Sequence, residues 1–285
     1  MPAERSKHPR PSVPFSSVAH LLEHQAKRIP DAPAILAPGR APLTYGRLYQ
    51  HIDKMGRTLR DMGIGHRDRI AVVLPNGPEL AVAVFAVAAI GACAPLNPAY
   101  GSEELDRYLA DLRPRALITL AGIDSPARRA ALSRGIRVIE LSTAFDAEAG
   151  LFALTGYQGS VPSDEPVSSA GDVALLLPTS GTTSRPKIVP LTHANICASA
   201  CACGAALALR ETDRCLNIVP LFHSYSLNAT VLASLAAGAS VVCAPGCDVN
   251  RFFAWLTTFQ PTWYSGVPTM HQAILTHARH NRLSD

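Results

Sequence analysis

The chain has 285 residues, 48% hydrophobic and 17% charged, with a net charge of +4. That balance excludes a disordered polymer and predicts a soluble α/β protein with a sizeable core, in one large domain or two smaller ones. Residues 1–137 hold 19 basic and 12 acidic groups and the remainder 7 and 10, yet no dense Lys/Arg cluster is interleaved with aromatics, which argues against a nucleic-acid partner.

Residues 1–14 read as a basic, proline-rich tail without the apolar core of a secretory signal. Phe15–Arg28 reads as a helix with Ser16 or Ser17 as its cap. Leu43-Thr44-Tyr45 opens a second helical run to about Met62, with Leu48, Ile52, Met55 and Leu59 on one face and Gly63 and Gly65 as its stop. Arg69–Leu74 is a buried-strand pattern, Pro75-Asn76-Gly77 a turn, and Glu79–Ile90 a helix. Further strands are expected at Ala116–Leu120 and Val138–Leu141. Residues 142–171 have weak periodicity and many turn residues, so the chain divides there into subdomains at 15–165 and 166–285. In the second block strands are expected at Val173–Leu177, Cys215–Val219, Ser240–Cys243 and Thr262–Ser265. Helices are expected at Thr192–Leu207, Tyr225–Ala237, Val249–Phe259 and Val267–His280. The alternation predicts two doubly wound, helix-covered sheets, the second incomplete. Leu80–Leu96 and Cys215–Cys247 carry no formal charge. Glycines and prolines interrupt both, so each reads as buried helix and strand rather than a membrane span.

The most informative segment is Thr179-Ser180-Gly181-Thr182-Thr183-Ser184-Arg185-Pro186-Lys187, directly after an apolar strand. Hydroxyls, backbone N–H groups and a close-approaching glycine suit a triphosphate, and Lys187 adds a compact positive charge. Beyond Lys54 it is the only lysine, in a chain with 22 arginines. The order departs from the P-loop of phosphate-transferring NTPases, G-x-x-x-x-G-K-[ST]: Pro186 replaces the second glycine and Ile188 the magnesium-binding hydroxyl, which counts against a kinase or NTPase.

T-S-G-T-T-x-x-P-K in this context resembles the phosphate-binding signature of the adenylate-forming (AMP-binding) superfamily. Leu43-Thr44-Tyr45 with Leu48, Asp68–Val72 through Pro75-Asn76, and Gly91-Ala92 with Pro95–Pro98 are similar to its landmarks in order. Pro220-Leu221-Phe222-His223 and Val267-Pro268-Thr269 follow the same pattern. The resemblance implies the N-terminal portion of an acyl-CoA synthetase. Such an enzyme joins a carboxylic acid to ATP, with Mg2+, and passes the acyl group to CoA. Thr179, Ser180, Gly181, Thr182, Thr183 and Lys187 would then bind the nucleotide, and His223 would lie at the acyl or pantetheine pocket. Ala254–His271 and the phosphate loop look like the oxalate–CoA ligase group, making oxalate or another small acid the expected substrate.

Ser184, Ile188 and Ser226 stand where glycine is common in the family. No Y-G-x-T-E-like segment, later ribose-binding aspartate or C-terminal adenylation lysine occurs in the chain. The alternative is therefore a truncated, non-catalytic nucleotide- or acyl-binding remnant. The seven cysteines read as thiols of a reducing cytoplasm. Cys197, Cys201 and Cys203 lack metal-site spacing, and Cys243 and Cys247 flank a Pro-Gly turn. Phe252, Trp255 and Phe259 read as core, and Tyr264 as core or pocket lining.

Overall fold

The computed structural model describes residues 14–143, 147–156, 159, 168–179 and 187–281. Their strands form two sheets. The seven-stranded sheet runs, in spatial order, β7 (Phe152–Thr155), β6 (Arg137–Thr143), β5 (Ala116–Leu120), β3 (Arg69–Val73), β4 (Ala92–Pro95), β8 (Val173–Pro178) and β9 (Ile188–Thr192). It is parallel from β6 to β8 and antiparallel at both edges. The five-stranded sheet runs β12 (Trp263–Ser265), β10 (Arg214–Asn217), β11 (Ser240–Cys243), β1 (Pro33–Leu36) and β2 (Leu43–Thr44). It is parallel except for the β1–β2 pair.

Sheet membership crosses the expected division near residue 165. β1 lies beside β11, with Ile35 opposite Val241, and β8 lies beside β4, with Cys93 opposite Leu175. Each stretch of sequence thus lends strands to the other's sheet, and the two sheets share one middle layer of helices. That layer holds α1 (Val18–Arg28), α2 (Tyr45–Asp61), α3 (Pro78–Ala88) and α6 (His193–Ala206), packed in one apolar cluster with residues of both sheets. Burial on all sides explains the charge-free run near Leu80: every residue of α3 except Glu79 is buried. Among the described residues, no helix is long and apolar enough to cross a membrane.

The outer faces are covered separately. α4 (Ser102–Leu112) and α5 (Pro126–Ser133) pack on the seven-stranded sheet. α8 (Val249–Phe259) and α9 (Pro268–His280) pack on the five-stranded one, where Phe252 and Trp255 are buried as expected of core residues. The helix expected over Tyr225–Ala237 is two pieces, a π-helix at Tyr225–Leu232 and α7 at Ala233–Ala237.

Local chemistry sets the element ends. Ser17 accepts the His20 N–H at 3.1 Å and so caps α1. Thr192 and Asn195 form a capping box at the start of α6. Gly91 sits where a Cβ would lie 2.8 Å from the Asp68 carbonyl oxygen, so this landmark is a close backbone approach between strands.

Candidate functional site

β8 carries the phosphate-loop motif out of the core. Ala174–Leu177 are buried, and the strand leaves the sheet at the carboxyl ends of β3 and β4, the usual ligand edge of a parallel α/β sheet. β9 returns antiparallel, with Leu177 opposite Val189 and Pro178 opposite Ile188. The Thr179 N–H donates to the Lys187 carbonyl at 2.8 Å, and the Lys187 N–H donates to Thr179 Oγ1 at 3.1 Å. The two ends of the motif are therefore clamped together, with the exposed Lys187 at the hairpin base. Ser180, Gly181, Thr182 and Thr183 lie outside the described residues, as does Ser184. Ile188 opens β9 and packs its side chain against the outer apolar cluster.

Thr179 and His223, far apart in sequence, line one cleft of about 670 Å³. Asn97 from the Pro95–Pro98 landmark and Tyr100, Glu104 and Tyr108 line the same cleft. The sequence reading missed these last three because it assigned no helix at 102–112. Their signal was spacing: Tyr100, Glu104 and Tyr108 fall at four-residue intervals on one face of an amphipathic segment. Tyr100 and Tyr108 stack with ring centroids 5.2 Å apart. Burial pushes the Tyr100 phenol up, so it stays a neutral donor at pH 7. His223 is exposed at the cleft mouth, with its ring 4.5 Å from Phe222. Partial burial lowers its basicity, favouring a neutral imidazole.

Polar contacts across the two sheets hold the His223 loop. Asn76 Oδ1 accepts the Leu221 N–H and Asn76 Nδ2 donates to the Ala244 carbonyl, both at 2.8 Å. The Pro75-Asn76 landmark thus ties the end of β3 to the Pro220–His223 loop and to the end of β11. Behind that loop, buried Asn217 Oδ1 accepts from Ser226 Oγ at 3.0 Å and Ser265 Oγ at 3.2 Å. Ser226 is wholly buried, so its hydroxyl fills a polar slot in the core. It is the second residue of the π-helix, a geometry often found at functional sites. Asn228 Oδ1 and Thr230 Oγ1 in that helix are buried with no hydrogen-bond partner among the described residues.

Among the described residues no group of three His, Cys, Asp or Glu side chains could hold a metal ion. Magnesium bound with ATP is commonly held through substrate phosphates and one or two carboxylates; among the described residues Glu104 supplies a carboxylate to this cleft. All seven cysteines are unpaired. Burial pushes the Cys197 thiol up to about 12, so it is an inert core group. Tyr264 packs against Phe252, and its hydroxyl is hydrogen-bonded to His271 Nδ1 at 2.7 Å. A second concavity of about 500 Å³, beside Arg47, His51 and Lys54, contains none of the motif residues.

Two helix-covered sheets, with Thr179 at the end of β8 and His223 lining one cleft between them, match the N-terminal architecture of adenylate-forming enzymes. The chain belongs to the AMP-binding enzyme family, whose model matches residues 22–285. It is 38% identical over 271 residues to an oxalate–CoA ligase of Arabidopsis thaliana, covering 93% of this chain and 52% of that protein. It is 37% identical to the probable CoA ligase CCL9 of Humulus lupulus, covering 90% and 50%. The chain thus spans about half the length of these curated relatives. Among solved structures, Mycobacterium smegmatis MbtA matches with a TM-score of 0.77 at 25% identity, covering 91% of this chain and 50% of that one. Apo MatB from Rhodopseudomonas palustris matches in fold with a TM-score of 0.73 at 22% identity, covering 92% and 51%.

Proposed function

We propose that this chain provides the ATP-phosphate grip and part of the acyl cleft of a cytoplasmic acid–CoA ligase. The observation that carries the reading is the single cleft lined by both Thr179 and His223. In the proposed reaction a carboxylate oxygen of the acid attacks the α-phosphorus of ATP. The bond to the β-phosphate oxygen breaks, leaving an acyl-adenylate and pyrophosphate. The sulfur of CoA, its proton lost to solvent, then attacks the acyl carbon and AMP departs. A carboxylate is already a nucleophile at pH 7, so the protein's work is positioning and charge stabilisation. Thr179, Ser180, Gly181, Thr182, Thr183 and Lys187 would hold the β- and γ-phosphates, and the neutral His223 would face the acyl or pantetheine group. Oxalate, or another small acid, is the preferred substrate. Its support is the 38% identity to the Arabidopsis oxalate–CoA ligase and 32% to the oxalate–CoA ligase of Saccharomyces cerevisiae. Feruloyl-CoA synthases at 33% keep larger acids in competition.

The second reading is a non-catalytic nucleotide- or acyl-binding remnant of the same family. Calorimetric ATP titration of the chain, paired with pyrophosphate release by the native protein, tests both. ATP binding that Lys187→Ala weakens at least tenfold, with acid-dependent pyrophosphate release, is the result expected of the ligase. Binding without release selects the remnant. Unchanged affinity in Lys187→Ala would refute the assignment of the loop.

A further inference from the structure

The folded chain gathers four arginines that the sequence scatters. Arg113 and Arg115, at the end of α4 and the approach to β5, meet Arg134 and Arg137, at the end of α5 and the start of β6. All four line one concavity of about 720 Å³, and among the described residues no aspartate or glutamate lines it. Two of the four are already paired with carboxylates, Arg134 through a two-pronged bond to Asp106 at 2.6 Å and Arg115 with Asp68 at 4.0 Å, and Arg137 also has a partner.

Arginines at helix carboxyl ends are often no more than caps for the last carbonyls. Here four of those carbonyls have other partners. Arg69 Nη1 donates to the Leu112 carbonyl at 3.1 Å, and the Arg113 backbone N–H donates to Leu109. At α5, the backbone N–H groups of Gly135 and Ile136 reach Leu132 and Ala131. The equivalent left-handed position after α5 is glycine, Gly135 at φ 66°, whereas Arg113 occupies it after α4 at φ 46°. A guanidinium therefore sits where the backbone itself favours glycine.

We propose that this concavity is an anion site for a phosphate-bearing small molecule, separate from the ATP cleft. Guanidinium forks match phosphate oxygens in pairs, and several on one concave wall select a multiply charged group over chloride. The site lies at the amino ends of β5 and β6, whereas the cleft lies at the carboxyl ends of the same sheet's strands. A five-residue strand, about 16 Å, separates the two edges. A ligand here would act on the sheet from behind, not on the reacting phosphates.

The test is an amide NMR titration of the chain with inorganic pyrophosphate at constant ionic strength, followed at residues 109–115 and 134–138. Saturable shifts are expected there, and Arg113→Gly should weaken them at least fivefold without lowering the melting temperature. That substitution removes the fork while relieving the left-handed backbone, so misfolding cannot mimic the loss. AMP in place of pyrophosphate separates the sources. Equal shifts at these amides assign an organic phosphate, and shifts with pyrophosphate alone assign an inorganic one. Shifts matched by sodium chloride, shifts confined to Thr179 and Lys187, or an unaffected Arg113→Gly would overturn the site. Binding seen only with anionic lipid vesicles would also overturn it and assign the face to a membrane surface.

Discussion

His193 should make the fold acid-sensitive in a defined window. It is the first residue of α6 and wholly buried. Its Nδ1 accepts the Val18 N–H at 3.3 Å, tying α6 to α1. Burial lowers its pKa from 6.5 to about 4; Asp172 and the Ala88 carbonyl oppose that shift, and His66 adds to it. The folded form thus holds the ring neutral while the unfolded chain protonates it below 6.5. The stabilisation is complete above pH 6.5 and drains away as pH falls towards 4. At about 1.4 kcal/mol per tenfold in proton affinity, the gap is worth about 3 kcal/mol. Urea melts of wild type and His193→Gln from pH 7.5 to 4 measure it. The glutamine keeps an acceptor for Val18 but cannot titrate, so the stability difference between the two proteins should shift by about 3 kcal/mol across the window. A difference that stays constant with pH would refute the reasoning.

Three other substitutions test the architecture. Tyr45→Phe removes a buried hydroxyl that donates to the Ala239 carbonyl at 2.6 Å. It should cost about 1–3 kcal/mol in a denaturant melt, because a buried carbonyl loses this donor. Asn76→Ala breaks the bond to Leu221 in the Pro220–His223 loop and the bond to Ala244 after β11. It should cost about 2 kcal/mol and raise amide exchange at Leu221 while leaving exchange in α5 unchanged. Gly91→Ala forces a methyl to within 2.8 Å of the Asp68 carbonyl and should lose roughly 2 kcal/mol or more by overpacking; an unchanged melting temperature would count against the β3–β4 approach.

The elements that the sequence revealed are those whose burial is local and periodic. The α2 stripe of Leu48, Ile52, Met55 and Leu59 is wholly on the core face, and the run at Ala116–Leu120 is β5 without adjustment. β1 escaped because Pro33–Leu36 is four residues long and takes its meaning from β11, more than two hundred residues later. β9 escaped because Pro190 sits inside it, which is allowed on an edge strand such as this one. The π-helix keeps the apolar content of an ordinary helix, so the register slip at Tyr225–Leu232 leaves no mark on the pattern. The site divides similarly. Thr179 and His223, which line the cleft, were legible as members of ordered motifs. Tyr100, Glu104 and Tyr108 become cleft residues only when α4 is laid beside β4. The four-arginine concavity depends on two helix ends brought together by adjacent β5 and β6.

Pairing β1 with β11 also sets a timetable for synthesis. The edge of β1 that accepts its parallel neighbour stays open until residues 240–243 have left the ribosome. At roughly 5–20 residues per second, about 200 further residues take about 10–40 s. For that interval Ala34, Ile35 and Leu36 form a nascent apolar segment without its partner, within reach of chaperones and of neighbouring nascent chains.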